Sequence, residues 1–251
     1  MPHLLPSEQR RQRVAILGST GSIGQSSLKV AADLIDRIEV VALAAARSSS
    51  LFAEQIKLWK PQYAALTDPN AAAEARSILG PNFSIEEGED SLCTAATLPE
   101  VDIVLIAIVG TAGLRPALAA INAGKHIAVA SKEILVMAGS VVMEAARRKG
   151  VNVLPVDSEH NAIFQCLEGH KSSDVSRLIL TASGGPFRNT PSKDLLKVTP
   201  TQALKHPTWD MGKKISIDSA TLFNKGLEMI EARWLFDVPM QSVDVVIHPQ
   251  S

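Results

Sequence analysis

The stretch "VAILGSTGSIGQSSLKVA", residues 14–31, decides the fold class. Apolar Val14 to Leu17 run into Gly18, and glycines recur at 21 and 24 before a segment with helical spacing. A short apolar run followed by glycines and a helical pattern is a strand, a tight turn and a helix. The first N–H groups of a helix have no acceptor within it, so such a turn offers donors to an anion such as a pyrophosphate. The spacing is G-x-x-G-x-x-G, where dinucleotide turns usually have G-x-G-x-x-G. A glycine-rich turn can also be plain geometry, so its surroundings have to decide.

They repeat the same unit. Further strand-like runs are "IEVVALAA", "QYAAL", "VDIVLIAIVG", "HIAVA" and "VNVLPV", and Ala-rich helical stretches lie between them at 71–79, 114–123 and 141–149. Strands this uniformly apolar are covered on both faces, which predicts a parallel sheet with crossover helices. Gly80, Gly124 and Gly150 follow helical stretches, where a left-handed residue ends a helix. The expectation is an α/β, Rossmann-like nucleotide-binding domain over residues 13–156, after a flexible polar tail at 1–12. The strand ending at Ala45 carries no acid to hold a ribose 2′-hydroxyl. Ala46, Arg47 and Ser48 follow it. A guanidinium and hydroxyls suit a 2′-phosphate, which favours NADPH over NADH. A solvated surface role for a single Arg is the alternative.

Bulk properties narrow the class. A net charge of −1 without an extended basic run argues against nucleic-acid binding. The first residues hold no long apolar segment, so neither a signal peptide nor a membrane anchor is expected there. Cys93 and Cys166, far apart in helical patterns, predict buried reduced thiols in a cytoplasmic protein and argue against a disulfide framework or zinc site.

After Val156 the rhythm changes, and residues 157–251 predict a second, α+β domain. Its first residues, "DSEHNAIFQ", start a helix over about 158–168, so Asp157 or Ser158 could simply cap it. If the segment is extended, Asp157 and Glu159 point to one side. A strand, "SRLILTA", leads to the loop "SGGPFR", which could present Ser183 and backbone N–H groups to an anion. A long helix is expected after Ser219, with Ser219 at its start. Phe223, Leu227, Ile230 and Trp234 form an apolar stripe that reads as its core face. Thr221, Asn224, Lys225 and Glu228 share a neighbouring face, ordinarily a solvated one. With Asp157 and Glu159, however, Glu228 completes three carboxylates of the hard-oxygen kind that Mg²⁺ or Mn²⁺ prefers. The chain closes on the strand-like "VDVVIHPQS", which reads as a domain cut short.

Taken together, "GSTGSIG", "SKE", "PVDSEHNAIFQ", "SGGPFR", "HPTWDMGKKISIDSATLFNKGLEMIEARWLF" and "IHPQS" resemble the 1-deoxy-D-xylulose 5-phosphate reductoisomerase family, in order and at similar separations, over about residues 14–251. The resemblance implies an NADPH- and divalent-metal-dependent enzyme (Mg²⁺ or Mn²⁺, with Co²⁺ possible). It would rearrange and reduce 1-deoxy-D-xylulose 5-phosphate to 2-C-methyl-D-erythritol 4-phosphate, as a homodimer. It makes Asp157, Glu159 and Glu228 metal ligands. Ser158, Ser183, His206, Ser219, Asn224 and Lys225 would contact the sugar phosphate, with Lys132 beside its reacting end. Thr20, Gly21, Ser22, Ile23, Glu133 and Gly212 would touch NADPH, and residues 205–214 resemble a mobile lid. Ser131, where the family usually has Asn, and the turn Ala46-Arg47-Ser48 depart from the pattern on the cofactor side. Family members also continue well beyond "IHPQS", completing the second domain's sheet and adding a helical domain. Two other classes compete. An NADP-linked semialdehyde dehydrogenase would need an activated cysteine, which neither Cys93 nor Cys166 resembles; a full-length non-catalytic nucleotide sensor would have no use for the carboxylates, while a cofactor-binding fragment without turnover stays an alternative for these 251 residues.

Overall fold

The computed structural model describes residues 10–248 and 250, without the Ser172 side chain. These separate into two compact units, the first ending at Asp157 and the second beginning at Ser158.

The first unit alternates strand and helix: β1 (Gln12–Leu17), α1 (Ser22–Asp33), β2 (Ile38–Ala45), α2 (Ser49–Trp59), β3 (Tyr63–Leu66), α3 (Pro69–Leu79), β4 (Glu86–Glu87), α4 (Asp90–Thr97), β5 (Ile103–Ile106), α5 (Leu114–Asn122), β6 (His126–Val129), α6 (Lys132–Lys149) and β7 (Val153–Pro155). The strands form one parallel sheet in the order β4-β3-β2-β1-β5-β6-β7. The order reverses at β1, whose neighbours are β2 and β5, and ligands of open α/β sheets sit outside the strand ends at such a switch point. Val40 to Ala45 are all buried, as a strand covered on both faces requires. Ile16, Leu43, Phe52, Ile56 and Leu66 centre the core, each contributing on the order of 2 kcal/mol by leaving water. On α3 the buried positions are Ala71, Ala72 and Ala75, small enough for the helix to pack close.

Three details differ from the expectation. The run "VDIVLIAIVG" pairs only over Ile103–Ile106, and Ala107 onward turns away at the sheet's end. The edge strand β4, two exposed glutamates, carries no apolar signal and was not foreseen. The expected tail at 1–12 is partly sheet: β1 starts at Gln12, and Arg10 pairs with Asp102 at 2.7 Å. Residues 1–9 lie outside the described residues.

The second unit comprises α7 (Ser158–Cys166), β8 (Leu178–Ala182), α8 (Pro200–Ala203), α9 (Lys213–Ala220), α10 (Phe223–Phe236) and β9 (Val243–Ile247). β8 and β9 pair in parallel, Leu178 opposite Val243 through Ala182 opposite Ile247. Their inner residues pack on Ala232, Phe236 and Val238. In the closing motif, Pro249 and Ser251 lie outside the described residues.

Here the helix expectations need correction. The long helix expected after Ser219 is α10, but it starts only at Phe223, because Leu222 takes a left-handed conformation (φ 58°) that separates it from the preceding helix α9. Ser219 therefore sits in the last turn of α9, not at a helix start. The stripe expected to be core is not: Phe223 is 59% exposed, and Ile230 and Trp234 are only half-buried. Lys225, Glu228 and Glu231 are buried with Leu227, Ala232 and Phe236 instead. Cys166 is exposed and Cys93 half-buried, so the expectation of buried thiols fails. Among the described residues no helix is long and apolar enough to cross a membrane.

Candidate functional site

On the first unit, the glycine turn borders a cleft of about 750 Å³ at the ends of β1, β2 and β5, lined by Gly18, Thr20, Gly21, Ala45, Thr67 and Ala107 among others. The three glycines have different reasons to be there. A Cβ on Gly18, at φ 96°, would lie 2.3 Å from the Ala107 carbonyl oxygen, and one on Gly24 would lie 2.3 Å from that of Gly18. Both are packing requirements. Gly21 is the exposed N-cap of α1, and its added Cβ would meet only the Gly18 carbonyl, at 3.3 Å. No side chain caps α1, so the N–H groups around Ser22 and Ile23 remain available to an anion.

Arg47 and Ser48 are exposed just after β2. The strand end has no acid in sequence, but folding brings one: Asp68, after β3, lies 3.7 Å from the Arg47 guanidinium. Arg47 is 85% exposed in its side chain, so this pair contributes less than about 1 kcal/mol and leaves the guanidinium able to turn to another anion. Asp68 also caps α3 through the N–H groups of Asn70 and Ala71.

Ser131, Lys132 and Glu133 open α6. The Ser131 hydroxyl donates to the Ile108 carbonyl, tying the helix start to the chain beyond β5. Lys132 is buried, with its ammonium 2.6 Å from an oxygen of Asp157. The segment is not extended at this point, since Ser158 already opens α7 and Glu159 lies in its first turn.

On the second unit, Lys225 lies between two carboxylates. Its ammonium is 3.0 Å from Glu159 Oε1 and 2.5 Å from Glu228 Oε2. Asn224 donates to the other Glu228 oxygen, one helical turn away. Glu228 is 1% exposed, a burial that such a charge tolerates only when paired. Burial alone would raise the Glu159 pKa, but a 2.6 Å bond from the Ser158 hydroxyl and the Lys225 ammonium outweigh it and hold the carboxyl below its ordinary value.

The loop after β8 takes its turn from Gly184 and Gly185, at φ 80° and 67°. It runs close to the end of α9, since a Cβ on Gly185 would lie 2.7 Å from the Ser219 carbonyl. His206 Nε2 is 2.9 Å from Ser183 Oγ, while its Nδ1 accepts from the N–H groups of Thr208 and Trp209. Nδ1 is thus the acceptor nitrogen, and Nε2 carries the proton and donates to Ser183. Gly185 N–H also donates to that oxygen, at 3.2 Å. With both acceptor positions used, the Ser183 O–H is left to donate elsewhere. Burial, and then Arg188, lower the His206 pKa and keep the ring neutral. Gly212 is the exposed N-cap of α9, with open space where a Cβ would go.

Two residues escaped the sequence reading. His160 is completely buried, its Nε2 2.9 Å from the Glu228 carbonyl oxygen and its Nδ1 3.4 Å from Glu231. Gln55 reaches Ser19 in the glycine turn. Both contacts span long sequence separations, which no local pattern records.

Comparison with known proteins gives the family. The family model described as 1-deoxy-D-xylulose 5-phosphate reductoisomerase matches residues 14–139, and that of the same enzyme's C-terminal domain matches residues 153–236. A protein of that name from Trichlorobacter lovleyi is 52% identical over 241 residues, covering 96% of this chain and 62% of its own length. Among solved structures, the reductoisomerase from Zymomonas mobilis in complex with NADPH superposes with a TM-score of 0.89 at 44% identity. A DOX-P reductoisomerase in complex with NADPH, fosmidomycin and magnesium gives 0.87 at 41%. The alignments cover 96% of this chain and 62% of each of those chains, so the chain spans under two thirds of the length of the relatives it matches. From the glycine turn of the first unit to the charged helix α10 of the second, the chain belongs to the 1-deoxy-D-xylulose 5-phosphate reductoisomerase family.

Proposed function

We propose that this chain carries the NADPH-binding and metal-binding parts of an enzyme that converts 1-deoxy-D-xylulose 5-phosphate to 2-C-methyl-D-erythritol 4-phosphate, for isoprenoid precursors. The observation that carries the reading is the buried Lys225 held between Glu159 and Glu228. An ordinary helix leaves such residues in water. Here two carboxylates converge on one cation, a donor set of the hard, anionic kind that Mg²⁺ or Mn²⁺ takes, with Co²⁺ also admissible. Asp157, two residues before Glu159, is the third ligand in this reading. When bound, the ion supplies a Lewis acid that polarises the substrate's carbonyl.

The protein's own groups do the rest. Ser183, held by His206, offers its O–H to the substrate phosphate together with Ser219, Asn224 and Lys225. Ser158 and His206 complete the sugar contacts, and Lys132 stands beside the reacting end. Thr20, Gly21, Ser22 and Ile23 receive the NADPH pyrophosphate at the start of α1. Arg47 and Ser48 take the 2′-phosphate, and Ser131, Glu133 and Gly212 serve the nicotinamide side. Residues 205–214 form the lid that excludes water during hydride transfer. The whole enzyme acts as a cytoplasmic homodimer with no nucleic-acid or membrane partner, which the near-zero net charge fits.

The test is NADPH oxidation in the presence of 1-deoxy-D-xylulose 5-phosphate, with and without Mg²⁺, beside calorimetric titrations of NADPH and Mn²⁺ into the chain. Both ligands are expected to bind, and Glu228→Gln should weaken Mn²⁺ about a hundredfold while leaving NADPH unchanged. A chain that binds neither ligand would sink the reading.

A further inference from the structure

Gln55 carries a buried amide directly beneath the glycine turn. It lies on α2 and is 6% exposed, and Ser19, its partner, is fully buried. Its Nε2 donates to the Ser19 carbonyl at 2.9 Å, and its Oε1 accepts from the Ser19 hydroxyl at 2.7 Å. The turn's other groups are also committed inward. The N–H groups of Gly18 and Ser19 both donate to the Ala44 carbonyl, and the Gly18 carbonyl accepts from Gly21. The Thr20 carbonyl accepts from Gln25. The Ser19 carbonyl and the Thr20 N–H belong to one planar peptide group, trans here, so they point in opposite directions. Whatever holds that carbonyl inward aims the N–H outward, and Thr20 lines the cleft.

We propose that Gln55 is a positioning residue for the cofactor: it fixes the plane of the Ser19–Thr20 peptide so that the Thr20 N–H faces the pyrophosphate of a bound dinucleotide. This rests on the reading of the cleft as the NADPH site. Without Gln55 the Ser19 carbonyl would be buried with no donor, a state costly enough for the peptide to rotate toward water. Rotation presents an oxygen to the cleft in place of an N–H, and an anion there meets a repelling dipole.

The experiment measures NADPH and Mn²⁺ affinities and melting temperatures for the wild type, Gln55→Met and Ser19→Ala. Methionine keeps the volume but cannot donate to the carbonyl, whereas Ser19→Ala removes only the hydroxyl and keeps that bond. NADPH affinity should fall about tenfold or more in Gln55→Met and less than about threefold in Ser19→Ala, even where the two melt alike. Mn²⁺ affinity should not move in either. NADPH binding by Gln55→Met within about twofold of the wild type, or losses of both ligands that track the melting temperature, would overturn the proposal. If Gln55→Met does not fold, hydrogen exchange on the wild type decides. The Thr20 amide should exchange freely and become protected on adding NADPH, and no added protection would overturn the proposal. A wild type that binds no NADPH refutes the cofactor reading itself, an outcome separate from the failure of Gln55.

Discussion

Lys225→Met should change three properties of this protein in directions that a simple loss of a binding residue would not. In the structure the Lys225 ammonium occupies the space between Glu159 and Glu228, at 3.0 and 2.5 Å. Methionine fills much of the same volume but takes the ammonium away from Glu159 and from Glu228, which is almost fully buried. Removing one partner of a buried pair costs about 3–5 kcal/mol. That is about a fifth or more of a typical stability of about 5–15 kcal/mol. Taking about 3 kcal/mol, the melting temperature of the metal-free variant should fall by roughly 6–12 °C. Divalent-metal affinity should move the other way. A unit positive charge about 5 Å from a dication costs about 1.5 kcal/mol even at the dielectric of water, so Mn²⁺ should bind at least about tenfold more tightly. Affinity for the sugar phosphate should drop, because the proposed function makes Lys225 one of its contacts. Calorimetric titrations of Mn²⁺ and of 1-deoxy-D-xylulose 5-phosphate, beside scanning calorimetry of the metal-free protein, read all three. Mn²⁺ binding unchanged or weakened in Lys225→Met would refute the idea that Lys225 stands where the metal goes.

Gly24→Ala should destabilise the fold by about 3 kcal/mol or more, because its Cβ meets backbone at 2.3 Å, whereas Gly21→Ala should fold normally and lose NADPH affinity; thermal melts beside NADPH titrations separate the two, and equal behaviour would contradict the roles given to these glycines. The His206 pKa lies below its ordinary 6.5, so the unfolded chain takes up the proton first as pH falls, and this group's contribution is full above pH 6.5 and lost toward the folded value. Melting temperature against pH should therefore show a decline below 6.5 that His206→Gln flattens, and identical profiles would reject it. Arg47→Ala should leave stability within about 0.5 kcal/mol, yet weaken NADPH by about 1.5–3 kcal/mol and NADH much less; an unchanged preference between the cofactors in parallel titrations would return Arg47 to the surface.

The first unit was legible because its signals are local. A strand buried on both faces must be apolar along its whole length, and "IEVVALAA" became β2 over the same eight residues. Gly18 and Gly24 mark the turn in sequence for the reason the structure shows, that a Cβ would collide there. The two-residue strand β4 was missed because exposed Glu86 and Glu87 carry no hydrophobic period. In the second unit the local rule misled. The 4-3-4 spacing of Phe223, Leu227, Ile230 and Trp234 marks a face of α10 correctly, but periodicity records which face is apolar and not which face finds cover.

The amino-acid sequence by itself determined the parallel α/β unit, the glycine turn, and the residue types that the second unit brings together. What only the tertiary structure decided is which polar residues leave water. Lys225 can be buried because Glu159, 66 positions earlier, meets its ammonium, and His160 because the Glu228 carbonyl, 68 positions later, accepts from its ring. Burying a charge is unfavourable until its partner arrives, and no period along the chain records a partner so distant. Leu222 likewise breaks the helix at a residue with no breaking signal of its own, adopting φ 58° between α9 and α10. The charged face of α10 was therefore unreadable as core from its own residues, since what makes it core lies elsewhere in the chain.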